Sequence, residues 1–460
     1  MRRFLAALGL ALPLAIYFAL ALPQLDLPGL HNDEAAEAGL QAQQILSGQP
    51  IAAFRDAGIR IGGRTFPLMV QDYIGALNVY FVLPFFAALG STVYALRLYT
   101  VLIGTFTILC TFGFMAEAFG KRPAFIASLL LAASPSFIFW QRQGVFVASL
   151  TATLTMAALW AGAVWANRGG WKWMFLLGLL CGAGLYAKLL FVWVIGGMVG
   201  ALAVINVPVV IRHLIGNFKL QIPNFKFLLP REASHTPARF FPRTPTTADL
   251  LAFAFGAIVG ITPLIAYNLQ TGGTFASVGA NLTTSYYGVN NLNFAENLRG
   301  RIDQFNAVLE GRDHLWYLGG SFGNGGWQTA MRLSALVILV RAVFRRQRSQ
   351  LPLALLLLLA FGVIQSSFTV SGLFPTHFAI FAALPAAIVA AACETIFDVF
   401  YEPMLTRFAT PIGKFFSGGR YLGGIGFITD AMLVVTFALG WLFARDAVIT
   451  IDYHLVLNKS

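Results

Sequence analysis

Charge is scarce in this chain. Only 11% of its 460 residues are Asp, Glu, Lys or Arg, where an ordinary soluble domain carries about a quarter. Acidic residues are the scarcest, with 19 Asp and Glu against 31 Lys and Arg. Cysteine is nearly absent too. Cys110, Cys181 and Cys393 lie inside apolar runs with no CxxC or Cys/His spacing, which excludes a disulfide scaffold and a cysteine metal site. Internal repeats, coiled-coil heptads and any polar stretch long enough for a soluble domain are also missing. A chain that is 58% hydrophobic cannot bury so much apolar sequence in a soluble core, so lipid is the solvent for most of it.

What is present is a series of apolar runs, several near the roughly 20 residues that cross a bilayer. They read as spans over 4–23, 94–118, 122–141, 145–166, 172–188, 189–207, 249–268, 327–344, 351–371, 375–397 and 425–444. The start, Met1-Arg2-Arg3 before an apolar run, also resembles a secretory signal with a weak site at Ala19-Leu20-Ala21. The length of the run favours an uncleaved first span. The fold class expected is an all-α polytopic membrane protein of about eleven transmembrane helices, one domain over 1–460.

The run 71–90 is ambiguous, because it holds Asp72, Asn78 and Pro84. Charge decides its placement. With Arg2 and Arg3 inside and 71–90 lying on the membrane, the basic connections all fall on the cytoplasmic side. These are Lys121-Arg122, Arg168 with Lys172, 208–248, Arg341 to Arg348 and Arg407 to Arg420. Were 71–90 to cross, every one would be outside, against the positive-inside rule. It is therefore expected as an outer-face amphipathic helix anchored by Tyr73, Tyr80 and Phe85-Phe86. The net charge of +12 is distributed in clusters between spans, unlike the continuous basic stripe of a nucleic-acid binder. Two segments remain outside, 24–93 and 269–326, while the basic loop 208–248 faces anionic lipid headgroups.

The richest stretch is His31-Asn32-Asp33-Glu34-Ala35-Ala36-Glu37. Two carboxylates at a helix N-terminus are held ionised by the helix dipole, and an ionised carboxylate can act as a general base. Local sequence alone reads more simply as a helix cap. Arg97, Arg142, Lys188 and His377 each fall at the outer end of a span. Such charges anchor interfaces cheaply by snorkelling, yet cations converging beside Asp33-Glu34 also suit a phosphate. Glu117 and Lys121, one turn apart near the inner end of their span, read as a structural pair. Arg299 and Arg301, with acids nearby, read as solvated loop surface, and Asn281-Leu282-Thr283 matches a glycosylation sequon.

The order of these motifs resembles the GT-C membrane glycosyltransferases, in the branch of protein O-mannosyltransferases and lipid A aminoarabinose transferases. Asp33-Glu34 followed by Ala35, Ala38, Ile45-Leu46 and Gly48 carries the likeness. So do Tyr73-Ile-Gly-Ala-Leu with Tyr80 and Pro84, Ala95-Leu96-Arg97-Leu98, and Phe119-Gly120-Lys121-Arg122. Leu131-Ala-Ala-Ser-Pro135 running to Arg142 continues it, as do the glycine-rich run Gly178 to Lys188 and Gly260-Ile-Thr-Pro263 with Tyr267-Asn268. The likeness covers roughly residues 1–280.

It implies a GT-C-like bundle with outer-face juxtamembrane helices and a sugar donor on a polyprenyl phosphate. The acceptor would be a protein, lipid or glycan. Transfer would occur on the periplasmic, extracellular or luminal face of a plasma or inner membrane. Asp33 would be the base, and Glu34, held by Arg142, would orient Asp33 or the acceptor; Arg142, Lys188, His377, Arg97 and Tyr73 would bind substrate. Gln141-Arg142-Gln143-Gly144-Val145 lacks the acid that many relatives carry nearby, which favours metal-independent chemistry with no cofactor without excluding a divalent metal, and one displacement from the face opposite the phosphate would invert the anomeric centre. A transporter or lipid-linked glycan flippase is the rival, although broken spans with mid-membrane charge, its usual marks, are not evident.

Overall fold

Each of the eleven apolar segments forms helix, as it must where lipid offers backbone N–H and C=O groups no partner. The computed structural model describes residues 2–143, 147–217, 244–285, 288–313, 323–344, 350–369, 373–408 and 420–457. Most of the basic loop 208–248 thus lies outside the described residues, as do 345–349 and 409–419. After α1 (Arg2–Ala21) comes a short helix α2 (Asn32–Glu34), a π-helical turn Ala35–Gly39, and α3 (Leu40–Ser47). Two small hairpins follow, β1 (Gly58–Ile61) with β2 (Arg64–Pro67) and β3 (Met69–Gln71) with β4 (Ile74–Gly75). The bundle continues with α4 (Leu77–Leu89), α5 (Val93–Ala118), α6 (Lys121–Ala133), α7 (Pro135–Gln143), α8 (Val147–Arg168), α9 (Trp171–Ala187) and α10 (Val192–Asn217). Beyond it lie α11 (Thr247–Thr271), α12 (Gly273–Ala280), α13 (Phe294–Glu310), α14 (Gly326–Phe344), α15 (Gln350–Ser366), α16 (Ala383–Phe408) and α17 (Arg420–Leu457).

Among the described residues, five helices are long and apolar enough to cross alone, and bent pairs raise that to seven. Four shorter apolar helices, Gly9–Ala21, Leu77–Leu89, Trp171–Ala187 and Gln350–Ser366, accompany them. The expected span 122–141 is broken by 62° between α6 and α7. Ser134, in extended backbone ahead of Pro135, is the break, since the residue before proline is pushed out of helix. The span expected at 375–397 bends by 44° after a 3-10 turn, Pro375–Phe381. The last expected span, 425–444, lies within α17, one continuous helix from Arg420 to Leu457.

Segment 71–90 is helical only over α4, whose 13 residues reach about 20 Å at 1.5 Å per residue, short of the ~30 Å hydrocarbon layer. One face of α4 buries Asn78, Val79, Val82 and Phe86. The Asn78 Oδ1 accepts a bond from the Tyr99 hydroxyl at 2.8 Å. The hairpins were not expected. Gly62 and Gly63, both at positive φ, make the β1–β2 turn, and that dipeptide is the local signal for it.

Small residues set the closest helix contact. Gly178 and Gly182 on α9 meet Gly256 and Gly260 on α11, two glycine pairs at four-residue spacing. A Cβ at Gly182 would lie 2.2 Å from the Ala257 carbonyl oxygen, and one at Gly256 2.1 Å from that of Phe175. Gly182→Val is therefore expected to push the helices apart at about 1–3 kcal/mol or more. It should lower the unfolding temperature in detergent and displace Lys188 at the end of α9, and an unchanged unfolding temperature would contradict the close fit. Asp72 latches the first outer segment to α11 and α12. Its carboxylate takes Arg55 Nε at 2.7 Å and Nη2 at 2.8 Å and the Tyr267 hydroxyl at 2.5 Å, while its backbone oxygen takes Thr274 Oγ1 at 2.6 Å.

At the opposite end of the bundle, the expected cytoplasmic clusters gather and find acids. Glu117 pairs with Arg168, Arg122 with Glu394 at 4.0 Å, and Arg341 with Asp398 at 3.3 Å.

Candidate active site

The acid pair splits into two different groups. His31 caps α2, its Nδ1 accepting the Asp33 amide at 3.2 Å, while Glu34 Oε2 takes the His31 amide at 3.2 Å. This reciprocal cap turns Glu34 inward and leaves Asp33 outward. Glu34 is fully buried, whereas the Asp33 side chain is 47% exposed and 3.9 Å from the His31 ring.

Arg97 holds Glu34, through Nε at 3.2 Å and Nη2 at 2.8 Å. Its remaining donors reach the carbonyls of Leu25 at 3.0 Å, Pro28 at 2.8 Å and Gly29 at 3.1 Å. A guanidinium has five N–H groups, and all five are spent here. Burial raises the Glu34 carboxyl above its ordinary value, and the Arg97 bonds pull it back. Arg97 therefore offers no donor to a substrate unless it gives one up, which corrects the expectation that it binds one directly.

Arg142 does not touch Glu34 in the way the sequence suggested. Its Nε donates to the Ala21 carbonyl at 2.8 Å, and Nη2 to those of Pro23 at 2.6 Å and Gln24 at 2.8 Å. Its guanidinium lies 5.3 Å from the Tyr453 ring centroid. It secures the chain leaving α1, and the C-terminal helix α17 shares in the contact.

Lys188 sits in the break between α9 and the 3-10 turn Leu189–Phe191. The first outer segment fixes that break: Ile74 bridges Lys188, and the Leu189 amide donates to the Tyr73 carbonyl at 3.0 Å. Tyr73 thus contributes backbone to the Lys188 loop. The Lys188 ammonium feels Glu37 first and Asp33 next, yet among the described residues no ion pair closes between it and either carboxylate. On its other side, His377 feels both Lys188 and Arg301, and its Nδ1 accepts the Phe374 amide at 3.1 Å. Asp33, Glu37, Lys188, His377 and Arg301 therefore share one end of the bundle. The sequence expected the convergence of Asp33, Lys188 and His377; Glu37 and Arg301 are additions.

Arg301, expected at a solvated surface, is 5% exposed. Nη1 donates to Gln304 Oε1 at 3.2 Å, but among the described residues Nε and Nη2 have no hydrogen-bond partner. That same edge grips Asp72 in Arg55 and Glu34 in Arg97. A buried guanidinium edge left open is costly in a membrane protein unless an anion completes it. Its neighbours Glu296 and Asp303 misled the sequence reading, because the amphipathic face of α13 that buries Arg301 was judged by composition alone. Glu37 had a usable signal in its four-residue spacing from Asp33.

A cavity of about 310 Å³ opens beside His377, lined by Ala307, Arg312, Asp313, Phe374 and Pro375. Its charges are already committed, Arg312 to Glu310 and Asp313 to Ser136 and Trp140, so it offers space without a free charge. Among the described residues no three of His, Cys, Asp and Glu gather as a metal-holding group.

Residues 76–219 match the family described as dolichyl-phosphate-mannose-protein mannosyltransferase, a stretch that holds Arg97, Arg142 and Lys188 but begins after Asp33. The fold is similar to that of ArnT from Cupriavidus metallidurans, solved with undecaprenyl phosphate. The TM-score is 0.53 at 14% identity, over 98% of this chain and 76% of that one. It is also similar to the Archaeoglobus fulgidus oligosaccharyltransferase AglB, solved with an inhibitory peptide and a dolichol-phosphate. There the TM-score is 0.50 at 16% identity, over 97% of this chain and 56% of the other. This chain thus spans little more than half of AglB. No curated protein matches it by sequence. The architecture is that of the polytopic GT-C glycosyltransferases, and the chain is a multi-pass integral membrane protein.

Proposed function

We propose that this chain moves a sugar from a polyprenyl-phosphate carrier to an acceptor nucleophile on the non-cytoplasmic side of the membrane, inverting the anomeric centre. One observation carries the reading: a half-exposed carboxylate, Asp33, shares its end of the bundle with two cations not closed by ion pairs, Lys188 and Arg301. The acceptor hydroxyl gives its proton to Asp33 as its oxygen attacks the anomeric carbon. The bond from that carbon to the phosphate oxygen breaks, and its electron pair leaves with the lipid phosphate. Lys188 and Arg301 stabilise the charge growing there, and His377, which lies near both, hydrogen-bonds the donor. Glu34, Arg97 and Arg142 keep the carboxylate-bearing helix in place, and Tyr73 fixes the Lys188 loop. Relatives solved with undecaprenyl phosphate and dolichol-phosphate support the choice of carrier.

The positive-inside distribution supports the side, because the Asp33 end lies opposite Glu117–Arg168 and Arg122–Glu394. Purified protein given a polyprenyl-phosphate sugar and a hydroxyl acceptor should form glycoside and free lipid phosphate. Transbilayer movement of the lipid without new glycoside would make it a flippase instead. Lys188→Gln and Arg301→Gln should each lower kcat/KM about 10- to 100-fold, the worth of a charged hydrogen bond. Rates unchanged in both would remove the phosphate from this site.

A further inference from the structure

Glu37 is a buried carboxylate that the transfer step leaves unused. It is 8% exposed, in the π-helical turn Ala35–Gly39, one turn beyond Asp33. Turns of this kind widen a helix locally and recur at functional sites. Its charged neighbours are Lys188 and Asp33, and among the described residues its carboxylate makes no hydrogen bond or ion pair. Of the elements packed on this turn, α2 adds Glu34, already held by Arg97, beside Asp33. α3 and β3 carry no ionisable side chain, and α4 brings only Tyr80, whose hydroxyl donates to the Pro67 carbonyl. Further off, His377 lies near both Lys188 and Arg301.

One ammonium therefore serves two carboxylates. A lipid phosphate seated on Lys188 and Arg301 adds negative charge beside two carboxylates that share Lys188, and it competes with them for that ammonium. Asp33, half in water, is the one placed to serve as base. Glu37, buried and unbonded, is the group whose ionised form is costliest to keep, and burial already raises its pKa to about 7.

We infer that Glu37 is the proton-holding counter-charge of Lys188, ionised while the phosphate seat is empty and protonated while lipid phosphate occupies it. The proton enters from water on binding and returns to water when the lipid leaves. Glu37 thus acts through Lys188 as a positioning residue, and the inference rests on the proposed reading that Lys188 holds the carrier phosphate.

Linkage fixes the sign. A site that gains a proton on binding holds its ligand more tightly as pH falls, by up to about tenfold per pH unit for one proton. The effect spans the interval from about pH 7 upward to the higher pKa of the occupied state. Undecaprenyl phosphate is itself almost fully ionised there, its second pKa being about 6 by analogy with other phosphomonoesters.

The test is binding of undecaprenyl phosphate to the full chain in detergent between about pH 7 and pH 9. Wild type should lose about tenfold or more in affinity across that range, and Glu37→Asp should keep the slope. Glu37→Gln should bind at about pH 9 nearly as tightly as wild type does at about pH 7, with less than a twofold change across the range. Calorimetry on wild type in two buffers of different ionisation heat should count a substantial fraction of a proton taken up at about pH 8. A Glu37→Gln slope equal to that of wild type, or zero proton uptake, overturns the inference and leaves the transfer reading standing. Lys188→Gln binding the lipid as wild type does would instead remove the reading beneath it.

Discussion

Asp33→Asn is expected to cut sugar transfer by about 10²- to 10⁴-fold, the usual worth of a positioned general base, while leaving the unfolding temperature unchanged. The geometry separates chemistry from folding at this residue. The Asp33 carboxylate is half exposed, and it lies 3.9 Å from the His31 ring. The bond that caps the helix uses the Asp33 backbone amide, not its side chain. An amide of the same shape therefore breaks nothing structural, but it cannot accept the acceptor's proton. Glu34→Gln should behave in the opposite way. It replaces one oxygen of a bidentate contact to Arg97 by a donor facing donors, so the unfolding temperature falls first and activity follows it. Steady-state rates set beside thermal unfolding distinguish the two residues. An Asp33→Asn enzyme that keeps more than half its rate would take the base away from this position, whatever the fold.

The bundle was legible because apolar runs and clustered cations are long-wavelength signals. A span must be about 20 apolar residues, and a cytoplasmic loop gathers Lys and Arg, so an all-α polytopic bundle could be read directly. The site was legible in part. Asp33 and Lys188 share an end of the bundle, as the parity of spans required. What escaped was pairing. Arg97 at a span end looks the same in sequence whether it snorkels, grips a phosphate or meets Glu34, because its partner lies 63 positions away. Arg301 escaped for the converse reason: acids adjacent in sequence suggested a solvated face, whereas the helix turns Arg301 inward and leaves part of its guanidinium open. The β1–β2 hairpin escaped because its strands are four residues each and mostly exposed or half-buried, so that Gly62-Gly63 is its one local signal. Asp446 escaped for the same reason as Arg97: it is buried on Asn324 Nδ2 and Trp327 Nε1, each at 2.8 Å and each more than a hundred positions away.

Arg97→Leu is expected to be the most destabilising single change in the outer segment, at about 3–5 kcal/mol, the cost of removing one partner from a buried pair. It leaves the fully buried Glu34 with no cation and frees the carbonyls of Leu25, Pro28 and Gly29. Adding Glu34→Leu should recover much of that loss, because two apolar side chains no longer bury an uncompensated charge. The recovery is not complete, since the carbonyl of the buried Leu25 stays unsatisfied, while those of half-buried Pro28 and exposed Gly29 can turn to water. The double variant should thus unfold at a temperature between those of wild type and Arg97→Leu, and it should stay nearly inactive. Its Asp33 helix would have lost both the cap contact from Glu34 to His31 and the tie to α5, and a misplacement of about 1 Å is enough to cost about 10²-fold. A double variant no more stable than Arg97→Leu would mean that the carbonyls, not the carboxylate, are what Arg97 chiefly serves. Full activity in the double variant would mean that Asp33 is positioned by something other than its neighbour.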